Sequence, residues 1–300
     1  GSVVIHDFDP RETQAFIAIL EGGSFEAAAQ KLNITPAAIS QRIRALENAL
    51  GAPLVQRTRP CQVTRQGMKL AQFIRKRELL FKDFQRTFFP SENQFLELNI
   101  SVNNDSIGSW FMPAISTFVI ENRILLNILL IDQDLTHRHM EVGLVVAALS
   151  SNQQAMRGCS SRFLGNLRYS MMASREFMQR WFSLGFNRET AVQAPMLIFD
   201  QNDLLQEQFL KKYLGLSQSA CPCHYIPASE PFTDAIRLGL GYGMVPHTML
   251  NDKDNARLVQ VMPGAYIDVP LYWHQWNQES AVLSALGNEV AHRAEGVLLQ

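Results

Sequence analysis

Three hundred residues, 47% of them hydrophobic, suffice for a sizeable core and about two domains. With 27 basic and 28 acidic residues the formal net charge is −1, which argues against a general polyanion binder and leaves room only for local basic patches. No apolar run approaches the roughly 20 residues of a bilayer span, and four cysteines make no disulfide framework, so a reducing cytoplasm is the expected location.

Gly1-Ser2 in place of an initiating Met reads as a cloning remnant and is set aside, and no signal peptide is expected. The stretch from Val3 to Glu21 contains a first helix, capped by Asp9 with Pro10 next, whose Phe16, Ile19 and Leu20 face inward. Gly22-Gly23 closes it. Residues 24–51 then read as two helices joined by a tight turn. Ser24 caps the Ala-rich run Phe25 to Leu32, and Asn33-Ile34 breaks the pattern. Thr35 caps the next helix, with Pro36 at its first position, where a missing N–H costs nothing. Ile39, Ile43, Leu46 and Leu50 recur at helical spacing and form one buried stripe, and Gly51 ends the helix. The opposite face carries Ala37, Gln41, Arg44 and Asn48, with Ser40 on the flank. Small residues, hydroxyls, an amide and an arginine on one face can approach base edges and hydrogen-bond them. Periodicity alone fits an ordinary helical hairpin with a polar outer face equally well.

Pro53 to Pro60 is a short basic loop containing Arg57 and Arg59, suited to a wing that touches phosphate. Thr64 to about Phe89 reads as one long helix. Leu70, Arg77 and Phe84 lie seven apart, as do Ile74, Phe81 and Phe88, so apart from Arg77 they form a heptad seam that calls for a partner helix. A core helix packed on its own chain is the alternative. AAQKLNITPAAISQRIRALENALG, then PLVQRT, then VTRQGMKL resembles the N-terminal winged helix-turn-helix of LysR-type transcriptional regulators. Helix, wing and linker-helix start follow in that family's order and spacing. The resemblance implies that Pro36, Ala37, Ser40 and Gln41 are recognition positions and that residues 64–90 form a dimerising linker helix. Dimerisation would place two recognition helices on successive major grooves, roughly 34 Å apart, over an inverted-repeat operator in double-stranded DNA. The candidate DNA contacts are Thr35, Pro36, Ala37, Ser40, Gln41, Arg44, Arg57 and Arg59, within a head spanning 3–63.

Pro90-Ser-Glu-Asn marks a boundary. Leu96, Leu98, Ile100 and Val102 then alternate with polar residues, as in a strand with one polar face, and a helix from Ile107 to Ile120 follows. Further strands are expected at 125–132, 144–150, 167–173, 196–200, 224–227, 243–245 and 268–275. Helices are expected at 174–182, 203–214, 229–238 and 279–299. This alternation argues for an α/β region with parallel sheets. The fold expected overall is α/β with an N-terminal all-α winged helix-turn-helix and a long linker helix. The family resemblance implies a two-subdomain, periplasmic-binding-protein-like effector domain over 94–300. Subdomain I would be 94–165 plus 267–300, and subdomain II 166–266.

Ligands in open α/β sheets sit beyond the carboxyl ends of strands, often at helix starts. Three stretches meet that description: Asn103, Asn104, Asp105 and Ser106; Phe199 through Asp203; and Ala228, Ser229 and Glu230. Helix-start N–H groups with Ser106 or Ser229 could hold a carboxylate. Asp105, Asp200, Asp203 or Glu230 could hold an amino or guanidinium group. Each acidic residue taken alone also reads as a helix cap. VNNDSIGSWFMPA, AVQAPMLIFDQNDLLQ, PCHYIPASEPFTDAIRLGLGYGMVPH and DVPLYWHQW are similar to the LysR subgroup that senses lysine and arginine and controls a basic amino-acid exporter. Asn103, Asp105, Ser106 and Trp110 share its N-x-D-S-x-x-x-W pattern, and Ser229, Glu230 and Phe232 its S-E-x-F pattern. The subgroup usually carries an acidic pair where this chain has Ile131-Asp132.

Cys221-Pro-Cys223-His224 lacks a second pair at zinc spacing, so the thiols are expected to be structural and no metal or other cofactor is expected. Gly239 to Gly243 follows a helix instead of a strand, which removes the phosphate-cradle logic of a nucleotide loop. No local motif sets out a nucleophile with its base, so no enzymatic activity is expected. The sequence therefore points to a cytoplasmic, ligand-responsive regulator, dimeric or tetrameric, that acts on DNA and RNA polymerase and does not engage a membrane. The alternatives are a regulator of the same architecture with another effector, or an architectural or replication-origin DNA-binding protein with none.

Overall fold

The computed structural model describes residues 7–91, 94–130, 133–277 and 280–300, with the backbone alone at 133–135. The N-terminal head is three helices and a two-stranded wing. They are α1 (Pro10–Gly22), α2 (Phe25–Leu32), α3 (Pro36–Leu50), β1 (Val55–Gln56) and β2 (Gln62–Val63). Each start is a side-chain cap. Asp9 accepts from the Arg11 N–H at 2.9 Å, Ser24 from Ala27 at 3.0 Å and Thr35 from Ala38 at 3.1 Å. Asn33 and Gly51, both left-handed, end α2 and α3. Phe16, Ile39, Ile43, Leu46 and Leu54 are fully buried together, so the α3 stripe is core, with Leu50 at its half-buried margin.

The 24-residue α4 (Arg65–Phe88) leaves the wing under the cap of Thr64, whose hydroxyl accepts from Gly67 at 3.0 Å. Gly67 is required by contact: a Cβ there would lie 2.2 Å from the Leu54 carbonyl oxygen. The expected seam divides. Leu70 and Ile74 bury in the head, while Phe81, Phe84 and Phe88 are exposed, along with Phe73 and Leu80. Leu79 packs instead into the core of the C-terminal region, Ser280 Oγ donates to Asp83 at 2.7 Å, and Arg86 donates to the Asn122 carbonyl.

The C-terminal region runs β3 (Leu96–Val102), α5 (Asn104–Ile107), α6 (Phe111–Glu121), β4 (Ile124–Leu129), α7 (Gln133–Glu141), β5 (Ala147–Ser150) and β6 (Cys159–Ser174). It continues with α8 (Arg175–Trp181), α9 (Arg188–Ala191), β7 (Met196–Ile198), α10 (Leu205–Leu214), β8 (Cys223–Tyr225), α11 (Ser229–Arg237) and β9 (Gly243–Pro246). It ends with α12 (Asp254–Arg257), β10 (Leu258–Gln260), β11 (Tyr266–Trp276) and α13 (Ala281–Glu295). The main sheet has the order β10-β6-β11-β5-β3-β4, with β9 also on β6, and β7 and β8 pair apart from it.

The sheets are mixed, where the sequence pattern predicts parallel ones. β3 pairs in parallel with β4 and β5, and β7 with β8, but β6 pairs antiparallel with β11, β9 and β10. The reason is the length of β6 and β11, which traverse the whole region side by side. Half of β6, Cys159 to Asn166, carries too little alternation to read as a strand. Between the halves the register slips at Leu271/Tyr272, opposite Gly165. Gly165 has φ +140°, and a Cβ there would meet the Leu298 side chain at 2.7 Å, so the crossover needs glycine. The helix expected at 107–120 is two, α5 and α6, and α7 is a polar helix that apolar periodicity does not reveal.

Candidate functional site

On the head, Thr35, Pro36, Ala37, Gln41 and Arg44 are all exposed along the outer face of α3, with Ser40 half-buried at its edge. The wing lies beside that face. Arg57 reaches back so that its guanidinium donates to Ser40 Oγ at 3.4 Å and sits 4.9 Å from the centre of the Phe25 ring. Arg57 is thereby held against the helix, which reduces the side-chain entropy it would lose on meeting a phosphate. Arg59 is exposed at the wing tip. The eight expected DNA-contacting residues therefore lie on α3, at its cap and on the wing beside it.

In the C-terminal region a cavity of about 830 Å³ opens beyond the carboxyl ends of β3, β5 and β7. Its wall takes Asn103, Asn104 and Asp105 from the β3–α5 junction, and Asp200 and Asp203 from the β7–α10 turn. Tyr169 on β6 and Asp268 on β11 come from the long strands. Four aspartates line it and, among the described residues, no lysine, arginine or histidine does. Asp268 is already neutralised: Arg168 grips both its oxygens at 2.8 and 3.0 Å. Ile131-Asp132 lie outside the described residues.

The remaining carboxylates are held by local donors. Asp105 Oδ1 accepts from Ser229 Oγ at 2.6 Å, and its Oδ2 accepts from the Tyr169 hydroxyl, so one side chain ties α5, α11 and β6 together. Burial, and then the Asp105 charge, push the Tyr169 phenol well above its ordinary pKa, so it remains a donor. Asp203 accepts from the Phe199 N–H at 2.9 Å and from the N–H of Leu205, the first residue of α10, at 3.0 Å. Burial nonetheless raises its pKa above the usual carboxylate value, and the nearby Asp105 and Asp200 charges add to the shift. Asp200 Oδ1 accepts from the Asn202 N–H at 2.8 Å.

Not every expected residue faces this space. Ser106 is buried beneath it and accepts from Trp110 Nε1 at 2.9 Å, which explains the shared N-x-D-S-x-x-x-W pattern as packing. Ser229 reaches the site through Asp105, and Glu230 is exposed to solvent and outside the lining. Successive helical residues point about 100° apart, so a helix start that turns Ser229 inward turns Glu230 out. The sequence reading missed Tyr169 and Gln206. Tyr169 lies between Arg168 and Ser170 and Gln206 between Leu205 and Glu207, where a polar side chain reads as part of a solvated face. Cys221 is buried, and burial pushes its thiol up to about 11, as expected of a structural cysteine.

Residues 10–68 match the profile of a family described as bacterial regulatory helix-turn-helix protein, lysR family. Over 293 residues the chain is 36% identical to the HTH-type transcriptional regulator ArgP of Klebsiella pneumoniae, an alignment covering 97% of this chain and 98% of that protein. The crystal structure of ArgP from Mycobacterium tuberculosis superposes with a TM-score of 0.83 at 33% identity, covering 98% of this chain and 99% of that one. Full-length LysG from Corynebacterium glutamicum with bound effector Arg superposes with a TM-score of 0.79 at 28% identity, covering 98% and 100%.

Proposed function

The chain belongs to the LysR family of transcriptional regulators, and on that premise we propose that it senses a basic amino acid, lysine or arginine, in the cavity beyond β3, β5 and β7. The observation that carries this reading is the lining: three aspartates without a basic partner and no basic side chain among the described residues. Such a wall repels organic anions and attracts ammonium or guanidinium groups. The LysG structure with bound effector Arg supports the same ligand class.

Residues 3–63 serve as the DNA-reading head, 64–90 as the dimerising helix and 94–300 as the sensing region. In the sensing region, 94–165 and 267–300 move as one subdomain and 166–266 as the other. Gln41 pairs with adenine in bidentate fashion, Ser40 and Arg44 flank it, and Arg57 and Arg59 contact phosphates. The exposed aromatics of α4 bury against a second copy, giving a dimer or tetramer on an inverted repeat. The ligand-bound regulator alters transcription through RNA polymerase, with an amino-acid exporter as the target.

Thermal unfolding of the full chain against a panel of amino acids and organic acids tests the reading. Mass action gives about 2.7 kcal/mol of stabilisation at a hundred times Kd. Lysine and arginine should raise Tm, while glutamate and succinate should not. A shift from an acidic ligand alone would discard the basic-amino-acid assignment.

A further inference from the structure

Gln206 lies in the first turn of α10, 1% exposed, on the wall of the cavity. Its Oε1 is buried and has no hydrogen-bond partner. Buried polar atoms in folded proteins are almost always paired, because an unpaired one forfeits its water without compensation. The adjacent groups of the same turn are paired, since Asp203 takes two backbone N–H groups and Asp200 a third. On the β3–α5 side of the cavity Asn103 Oδ1 is likewise buried and unpartnered. Both unpartnered atoms are acceptors, and so are the carboxylates of Asp105, Asp200 and Asp203. A ligand that completes this wall must bring N–H donors. A guanidinium presents more of them than an ammonium, and in a fixed planar fork.

We propose that Gln206 is a specificity-determining residue of the cavity, its Oε1 accepting a hydrogen bond from the cationic head of the ligand and favouring a guanidinium over an ammonium. This rests on the basic-amino-acid reading above. An ammonium rotates freely and finds its acceptors among the carboxylates, so it depends little on one neutral amide. A planar guanidinium holding the carboxylates leaves an edge that only a fixed acceptor can meet. The ligand-free protein gains no hydrogen bond at Gln206 Oε1, which is the signature that separates a recognition role from a structural one.

The test is calorimetric titration of L-arginine and L-lysine into the full chain and into Gln206→Met, which keeps length and flexibility but removes the acceptor. The arginine Kd should weaken about tenfold or more, as expected for a lost hydrogen bond to a charged group. The lysine Kd should change less, and the ligand-free Tm should stay level or rise. Gln206→Glu, which restores an acceptor, should recover the preference for arginine. Unchanged affinities in Gln206→Met would overturn the assignment. So would equal losses for both ligands with a lowered ligand-free Tm, or failure of Gln206→Glu to recover the preference. If the wild-type chain binds neither amino acid, the basic-amino-acid reading falls and this assignment falls with it.

Discussion

Gln41 and Asp203 represent the two ends of the regulator at the scale of single residues. Gln41 is exposed on α3 with small neighbours at Ala37 and Ser40, so its amide can reach a base edge without steric obstruction. Gln41→Ala should lose about 1–3 kcal/mol of discrimination at one adenine while leaving the salt dependence of binding unchanged. Competition between the operator and its single-base variants measures this. Asp203 sets a pH dependence on the sensing side. Burial raises its pKa in the unliganded fold, whereas a bound cation favours its charged form. The unliganded state therefore holds the extra proton, and ligand affinity should fall as pH drops through that raised value. The window lies above the ordinary carboxylate value of 3.8. Calorimetric titration of arginine across pH should show this decline in the wild type and a flatter profile in Asp203→Asn.

Among the elements, α4 joins these two ends. Its inner face is used twice, by Leu70 and Ile74 in the head and by Leu79 in the sensing region. Its outer face offers Phe81, 58% exposed, and Phe84, 50% exposed. Burying one such ring contributes about 1.5–3 kcal/mol. Phe84→Glu should therefore weaken self-association by tenfold or more, read by sedimentation, while leaving the head folded. Helix starts were legible in the sequence because a cap is a local event: Asp9, Ser24, Thr35 and Thr64 each bond within their own first turn. The carboxylates Asp105, Asp200 and Asp203 were legible for the same reason, at strand-to-helix turns. The first half of β6 was not, because Ser160, Ser161 and Arg162 become a strand only through pairing with the distant β11. Tyr169 and Gln206 belong to that second class. Their neighbours mix polar and apolar residues, so nothing local marks them, and only the tertiary fold places them on the cavity wall.

Across the whole molecule, α4 joins the head to the C-terminal region by packed contacts. β6 and β11 cross the region and bend where Leu164 is left unpaired beside Gly165. Asp105 bridges α5 to α11 and β6 through Ser229 and Tyr169, so a cation that draws on the Asp105 carboxylate would change the bonds that tie these elements together. The C-terminal region meets the head through α4. Arg75 packs against Gly143, and Asp83 is held by Ser280. A ligand shifts this equilibrium only as far as it prefers one arrangement. The near-zero net charge agrees with such a division of labour, with basic side chains at the wing and acidic ones in the cavity.

The measurement that bears most directly on this account is a footprint of the full chain on DNA selected from a random pool, with and without saturating L-arginine. The account predicts paired half-sites in inverted repeat and a footprint or affinity that arginine alters. An identical footprint and affinity with and without arginine would contradict the claim that the cavity controls DNA binding.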